Sequence, residues 1–166
     1  MNRAMESLGA RSGAVAAELA RLGVVTEVRE MPTSTRTAAE AAAALGCDAA
    51  AIVKSLVFCS PLRDVPVVVL APGDRRVDEH TLEEVTGERL ERADPRFVKE
   101  RTGFAIGGVP PLGHRVPCET LLDEQLLAHE VVWAAAGTPH SVFPIDPRIL
   151  AEVTSARIVA VTGRRP

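Results

Sequence analysis

The sequence is poor in aromatic residues and cysteine, and both shortages exclude classes of function. Its 166 residues include four Phe, one Trp and no Tyr, too few for a platform on which long single-stranded nucleic acids stack their bases. The three cysteines, Cys47, Cys59 and Cys118, are odd in number and widely spaced. No Cys-x-x-Cys pair or His/Cys cluster has zinc-ligand spacing. We therefore expect reduced thiols, no metal site, no cofactor and a cytoplasmic location.

Long apolar runs and an excess of positive charge are also missing. Met1–Glu6 has no apolar core behind a basic start, and no run of about 18 apolar residues follows, so we expect neither a secretory signal nor a membrane partner. Nineteen basic and 22 acidic residues give a net charge of −3. This balance argues against a nucleic-acid coat or a polybasic membrane anchor, while a local basic patch stays compatible with it.

The remaining composition is that of one folded domain. Hydrophobic residues make up 46% of the chain and charged residues 25%, so the chain is neither disordered nor membranous. We expect one domain over residues 5–162 and a short tail over 163–166. Strand signals outnumber long helices and alternate irregularly with them. The predicted fold is therefore an α/β domain with a mixed, curved, barrel-like sheet surrounded by helices.

Local signals place the elements of this domain. Capping residues, Asp-Pro starts and glycine stops predict helices, which cover 12–22, 38–45, 78–85 and 94–103, with another that begins at Asp146-Pro147. Alternating or β-branched segments predict strands, which cover 24–31, 51–59, 66–70, 116–122, 131–136, 141–145 and 158–161. A short helical turn is expected near 123–127.

Lys54 is the first residue that indicates a site. Only two of the 19 basic residues are lysine, at Lys54 and Lys99, so arginine is the usual cation of this chain. On the predicted strand, Lys54 rises among apolar neighbours, which is unfavourable unless the ammonium is paired or lines a cavity. The compact ammonium of Lys54 could bind a phosphate or a carboxylate as a point charge. The alternative is an edge-strand lysine whose ammonium reaches water.

Two glycine-containing segments suggest a pocket. Gly103–His114 combines glycines, which allow close backbone approach, with prolines, which fix the loop; this suits a backbone cradle for a carbonyl or a phosphate. It is neither a P-loop nor a dinucleotide fingerprint, and an ordinary wide turn is the alternative. Val132–Pro139 is a strand of small residues that opens into a Gly-Thr-Pro turn, which leaves room for a pocket or for close helix packing.

Four segments together resemble the YbaK/EbsC family, the free-standing relatives of the editing domain inserted in bacterial prolyl-tRNA synthetases. They are Thr37–Ala42, Ile52–Phe58, Gly107–His114 and Ala135–Pro139. The lysine strand and the Gly/Pro loop, in this order and about 50 residues apart, carry most of the resemblance. The resemblance extends from about Thr35 to about Leu150.

The resemblance implies metal-free hydrolysis of the ester between a wrong amino acid and the terminal adenosine of a tRNA, with the tRNA for proline as the first expectation. Lys54 would hold the terminal phosphate, and backbone N–H groups of the loop would face the aminoacyl carbonyl. The catalytic residues implied are Lys54, Gly107 and Gly108. The substrate-binding residues implied are Val109, Pro110, Pro111, His114, Gly137 and Thr138. The implied partners are the acceptor end of mischarged tRNA and a prolyl-tRNA synthetase.

One departure and two alternatives accompany this hypothesis. Cysteine-specific members carry an acidic residue shortly after the glycine that matches Gly137, whereas Thr138–Phe143 has none, which argues against cysteinyl specificity. For the tRNA body, Arg92, Arg96 and Lys99 are one candidate patch and Arg75 with Arg76 another, although solvated mixed charge explains either. The alternatives to a deacylase are a non-catalytic binding module and a generic small-molecule hydrolase.

Overall fold

The computed structural model describes residues 8–163, so residues 5–7 of the predicted domain and 164–166 of the predicted tail lie outside the described residues. The helices are α1 (Ala10–Arg21), α2 (Ala38–Leu45), α3 (Glu79–Thr86), α4 (Pro95–Thr102) and α5 (Pro147–Val153). The strands are β1 (Arg29–Glu30), β2 (Val53–Cys59), β3 (Pro66–Pro72), β4 (Glu91–Arg92), β5 (Glu119–Asp123), β6 (Val132–Ala135), β7 (Ser141–Ile145) and β8 (Arg157–Val159). Short 3₁₀ turns cover Ala49–Ala51 and Glu124–Ala128. Between residues 8 and 163, no helix has the length and apolar content of a membrane span.

The strands form two sheets. In the five-stranded sheet, with order β4-β2-β3-β5-β8, β2 pairs antiparallel with β3, while β3–β5 and β5–β8 are parallel. The antiparallel sheet β1-β7-β6 joins it through an isolated bridge between Ile52 and Trp133. The predicted mixed α/β fold is confirmed. The described strands do not close into one barrel, because among them only this isolated bridge joins the two sheets by strand pairing.

Strand β3 is the centre of the core. All seven residues of β3 are buried, and successive side chains of a strand point to opposite faces. Val68 accordingly packs into one apolar cluster and Val67 into another. Each fully buried Val contributes about 1.5–3 kcal/mol relative to an exposed one. Val109 belongs to the Val68 cluster, so the core holds the Gly/Pro loop against the sheet.

Four of the five predicted helix starts are confirmed by their caps, whereas α1 begins at Ala10, two residues before the predicted Ser12, with no side-chain cap at Gly9. The Thr37 hydroxyl accepts from the N–H of Glu40 at 3.1 Å, and the Glu40 carboxylate accepts from the N–H of Thr37 at 3.4 Å. Asp78, Asp94 and Asp146 cap α3, α4 and α5 through their side chains. Because these are local interactions, the sequence alone is enough to place them.

Two predicted strands begin three or more residues later than expected, and proline explains both. Of the predicted 24–31 strand only Arg29–Glu30 pairs with β7; further along β7, Pro144 has no N–H to donate, and its carbonyl instead accepts from the Thr26 hydroxyl at 2.5 Å. The predicted 116–122 strand begins only at Glu119, after Pro117. Proline removes the donor that a ladder requires. The two-residue strand β4 was not predicted.

Candidate active site

A cavity of about 380 Å³, which we call the Lys54 cavity, lies where the two sheets meet. Its walls come from the start of α2, the first half of β2, the tip of the Gly/Pro loop and β6. The lining residues are Thr35, Arg36, Thr37, Ala38, Ala41, Ile52, Val53, Lys54, Ser55, Leu56, Ile106, Gly107, Val109, Trp133, Ala134, Ala135 and Val142. Largely apolar walls with a few polar groups are typical of a small-ligand site.

Lys54 is partly buried on β2, opposite Ala71 of β3. Its Nζ donates a hydrogen bond to the backbone carbonyl of Arg75. Burial lowers the pKa of Lys54, and the neighbouring charges of Arg92 and Arg76 lower it further, whereas Asp74 raises it. The ammonium therefore sits in a crowded positive environment, where an added anion would restore its pKa.

The loop tip is a β-turn that leaves two backbone donors unused. The N–H of Gly108 donates to the carbonyl of Ala105 at 3.0 Å. Gly107, the third residue of this turn, has φ 95°, as a type II turn requires. Within residues 8–163, the N–H groups of Gly107 and Val109 donate to no acceptor. Both residues line the Lys54 cavity, so two donors remain for a ligand carbonyl.

Gly108 fixes the loop against the turn that follows β6. A methyl group added at Gly108 would lie 2.9 Å from the Cα and carbonyl carbon of Thr138, so this contact admits only glycine without a backbone shift. The Thr138 hydroxyl is 2.7 Å from that of Ser141, which accepts from the Ser12 hydroxyl at 2.9 Å. Gly137, with φ 98°, and Thr138 are absent from the cavity lining. They support the loop from behind.

The structure does not bring His114 to the Lys54 cavity. His114 and Pro111 line a separate depression, also of about 380 Å³, and Pro110 is buried. The His114 Nε2 lies 2.7 Å from the Pro110 carbonyl oxygen, and burial lowers the pKa of His114. A neutral ring that donates from Nε2 to this carbonyl ties the end of the loop to Pro110.

Sequence reasoning missed Ser55. Its Oγ is buried and, within the described part of the chain, has no hydrogen-bond partner. Ser55 lines the Lys54 cavity and also a smaller adjoining cavity of about 120 Å³, together with Gly107 and Val109. Buried hydroxyls without partners are rare in native proteins. The signal in the sequence was a hydroxyl directly after the lysine of an otherwise apolar strand.

Arg36 was also missed. It is exposed at the rim of the Lys54 cavity, and its side chain crosses directly over Gly107, so that a methyl group there would lie 2.9 Å from its Nε. On the opposite wall, Trp133 stacks on the guanidinium of Arg29 at 4.9 Å. Neither arrangement follows from sequence spacing, because the partners are distant in the chain.

The candidate patches for the tRNA body differ in position. Helix α4 begins at Pro95, so Arg92 lies on β4 and does not share a helix face with Arg96 and Lys99. Arg96 pairs with Glu100 at 2.9 Å on an exposed surface. Arg75 and Arg76, by contrast, lie beside Lys54 in the same depression as Arg92. The structure thus joins parts of two patches that the sequence kept separate.

The lining residues also restrict the chemistry. They include no His, Cys, Asp or Glu, so the cavity walls offer neither a side-chain general base nor a thiol. Among residues 8–163, no group of three or more His, Cys, Asp or Glu side chains could hold a metal ion. Besides the backbone N–H groups of Gly107 and Val109, the lining residues carry the ammonium of Lys54, the guanidinium of Arg36 and three hydroxyls, those of Thr35, Thr37 and Ser55. This set is suited to stabilising negative charge on oxygen.

Fold and cavity together define a small α/β domain that offers backbone donors and one ammonium to an acyl or phosphoryl group. Residues 33–153 match the family model described as the aminoacyl-tRNA editing domain. The chain belongs to this family, and its general activity is that of an aminoacyl-tRNA editing hydrolase.

Three similar proteins support this assignment. A solved structure of a candidate trans-editing enzyme for prolyl-tRNA synthetase is 41% identical, with a TM-score of 0.89, over 95% of this chain and 100% of that one. The candidate Cys-tRNA(Pro)/Cys-tRNA(Cys) deacylase EbsC of Enterococcus faecalis is 24% identical over 77% of this chain and 78% of its own. The proline–tRNA ligase of Thermosipho melanesiensis is 39% identical over 79 residues, which are 47% of this chain and 14% of that protein.

Proposed function

We propose that the protein hydrolyses, in trans, the aminoacyl ester of a mischarged tRNA, and that the tRNA for proline is its main substrate. The observation that carries this proposal is the convergence of Lys54 with the unused N–H groups of Gly107 and Val109 in one cavity. The likeness to a candidate trans-editing enzyme for prolyl-tRNA synthetase and to part of a proline–tRNA ligase supports the choice of tRNA. A prolyl-tRNA synthetase as partner and a cytoplasmic location stay predictions.

In the proposed mechanism, the loop binds the ester carbonyl and the charge that develops on it. The carbonyl oxygen accepts from Gly107 and Val109, and water attacks the carbonyl carbon. The bond to the ribose oxygen then breaks, this oxygen takes a proton, and the free amino acid leaves. Because the walls hold no His or carboxylate, the neighbouring ribose hydroxyl or a second water carries the proton. Preorganised donors of this kind contribute more than any other single factor in many acyl-transfer sites.

Lys54 holds the substrate in this scheme. Its ammonium faces the phosphate of the terminal adenosine, which would offset the positive charges of Arg92 and Arg76. A charge-assisted contact of this kind contributes about 1.5–3 kcal/mol. If the contact persists in the transition state, its loss slows the reaction about 10- to 150-fold.

The cavity favours a small amino acid. Ala38, Ala41, Ala134 and Ala135 line it, and small walls leave room for the aminoacyl group beside the adenosine. No acidic residue follows Gly137 within the next six positions, so the feature expected of cysteine-specific members is missing. We propose alanyl-tRNA for proline ahead of cysteinyl-tRNA as the substrate.

A panel of mischarged tRNAs tests this function, with the only other lysine as the matched control. Lys99 is exposed on α4, where its Nζ lies 3.5 Å from the carbonyl of Gly103. We expect Lys54→Ala to slow deacylation about 10- to 150-fold and Lys99→Ala to leave it unchanged. Lys54→Arg should restore little, because the planar guanidinium must replace an ammonium between a carbonyl and two arginines.

The panel also decides between catalysis and binding. Multiple turnovers on one or more mischarged tRNAs support the deacylase. Release of a single equivalent, or equal activity of wild type and Lys54→Ala on every member of the panel, would overturn it in favour of a binding module. Comparable rates on simple amino acid esters and on tRNA would instead indicate a generic hydrolase.

A further inference from the structure

A second depression, of about 530 Å³, adjoins the Lys54 cavity. Lys54 and Leu56 of β2 line both spaces, so this part of β2 separates them. The other walls come from the turn after β3, the start of α3 and β4. They are Arg75, Arg76, Val77, Glu79 and Arg92. We call this space the arginine depression.

The arginine depression is strongly positive. Its walls carry four cations, Lys54, Arg75, Arg76 and Arg92, against one carboxylate, that of Glu79. Glu79 lies 4.0 Å from the Nε of Arg92, and both side chains are about half exposed, at 51% and 54%. Such an exposed pair neutralises little charge. The depression therefore attracts anions.

The shape and chemistry of the walls favour phosphate over a nucleobase. No lining residue is aromatic, so bases cannot stack there as they do in single-strand binding grooves. Arg92 lines the depression, and its guanidinium lies 5.7 Å from the ring centroid of the buried Phe58. Guanidinium groups bind phosphate oxygens in pairs.

We propose that the arginine depression binds the phosphodiester backbone of the single-stranded nucleotides that precede the terminal adenosine of the tRNA. This inference rests on the proposed function. If the ester lies against Gly107 and the terminal phosphate lies against Lys54, the preceding nucleotides leave the Lys54 cavity past β2 and enter the arginine depression. The arginine depression would recognise the charge of the phosphates and not the identity of the bases, so contacts outside it would select the tRNA.

The experiment compares substrates that differ only in their phosphates. An aminoacyl-adenosine has none, an aminoacyl-CCA trinucleotide carries those of the single-stranded end, and the full aminoacyl-tRNA carries all. The variant is Arg76→Ala combined with Arg92→Ala. The matched control is Arg148→Ala, an exposed arginine on α5 that pairs with Asp146 and lies outside the arginine depression. Circular dichroism checks that each variant folds.

The expected result is a KM defect that depends on phosphate. For the trinucleotide and the tRNA, the double variant should raise KM about tenfold or more with kcat nearly constant, and the effect should disappear with aminoacyl-adenosine. Each lost phosphate contact should also reduce the slope of log affinity against log salt by about 0.7. Arg148→Ala should show neither effect. An equal defect with aminoacyl-adenosine, or an unchanged KM and salt slope, would overturn the proposal.

Direct binding separates this proposal from the proposed function. Uncharged CCA trinucleotide, titrated by fluorescence anisotropy, needs no ester and no turnover. Binding that weakens about tenfold in the double variant supports the arginine depression even if no mischarged tRNA is hydrolysed. If the wild type deacylates mischarged tRNA but the wild type and the double variant bind the trinucleotide equally well, the proposed function stands. The proposal that the arginine depression binds the phosphodiester backbone is then refuted.

Discussion

The loop tip offers the sharpest test of the proposed chemistry, through Gly107→Ala. At φ 95° an alanine is strained by about 1–2 kcal/mol. Its methyl group would also collide with the side chain of Arg36, whose Nε would be 2.9 Å away. The turn must shift to relieve this, and the N–H groups of Gly107 and Val109 shift with it. A misplaced donor costs about 10²–10³ in rate in comparable sites.

A matched control in the same loop separates chemistry from stability. Gly113 also has a positive φ, 76°, but a methyl group there would lie 3.7 Å from the nearest atom, in Glu18, and Gly113 does not line the Lys54 cavity. Gly113→Ala should therefore cost a similar 1–2 kcal/mol of unfolding free energy without slowing deacylation. Urea unfolding measures the first quantity and single-turnover deacylation the second.

Three results would refute this reasoning. They are full activity of Gly107→Ala, an equal loss of activity in Gly113→Ala, and a Gly107→Ala defect confined to tRNA affinity. Adding Arg36→Ala to Gly107→Ala removes the collision and leaves only the strain of the positive φ. This double variant should recover part of the lost rate if the displaced turn is the cause.

Two further predictions concern buried polar groups. Ser55→Ala removes a buried hydroxyl with no partner in the described residues, so urea unfolding should show equal or greater stability. If the Ser55 Oγ contacts substrate, single-turnover deacylation should fall in this variant. Unchanged deacylation would show that Ser55 has no role in the reaction. His114→Ala should slow turnover less than Gly107→Ala, since His114 lies outside the Lys54 cavity, and complete loss of turnover would instead make His114 catalytic. Burial lowers the pKa of His114 from 6.5, so His114 takes up a proton more readily in the unfolded chain than in the folded protein. The unfolding free energy of the wild type should therefore fall as the pH drops below about 6.5. This pH dependence should be weaker in His114→Ala.

The elements that sequence reasoning placed correctly are those with local signals. The Thr37 capping box, the Asp-Pro helix starts and the apolar β3 segment each depend on residues a few positions apart. Gly107 in the loop was also recognisable, because only a turn with positive φ or a close contact explains glycine there. The shortening of the predicted 24–31 strand to β1 was not predictable, since it depends on Pro144, more than a hundred residues later.

The same distinction between local signals and contacts of distant residues applies to the candidate site. The lysine strand and the Gly/Pro loop could be named from the sequence, and their shared cavity matches that expectation in space. The hydrogen-bond partner of Lys54 could not be named from the sequence, because the carbonyl of Arg75 reaches Lys54 only through the β2–β3 pairing. Together with the β2–β4 pairing, it also brings Arg75 and Arg76 beside Arg92. Sequence spacing carries no record of such contacts.

The choice of lysine at position 54 follows from this environment. A chain whose usual cation is arginine has a lysine at position 54, where a carbonyl and two guanidinium groups already surround the charge. An ammonium is compact, can turn its three donors, and needs only one partner per donor, whereas a guanidinium needs a planar fork of acceptors. At the boundary between the Lys54 cavity and the arginine depression, the smaller head can hold the Arg75 carbonyl and still meet a phosphate. The crowding around Lys54 therefore explains why this position carries lysine in a chain whose usual cation is arginine.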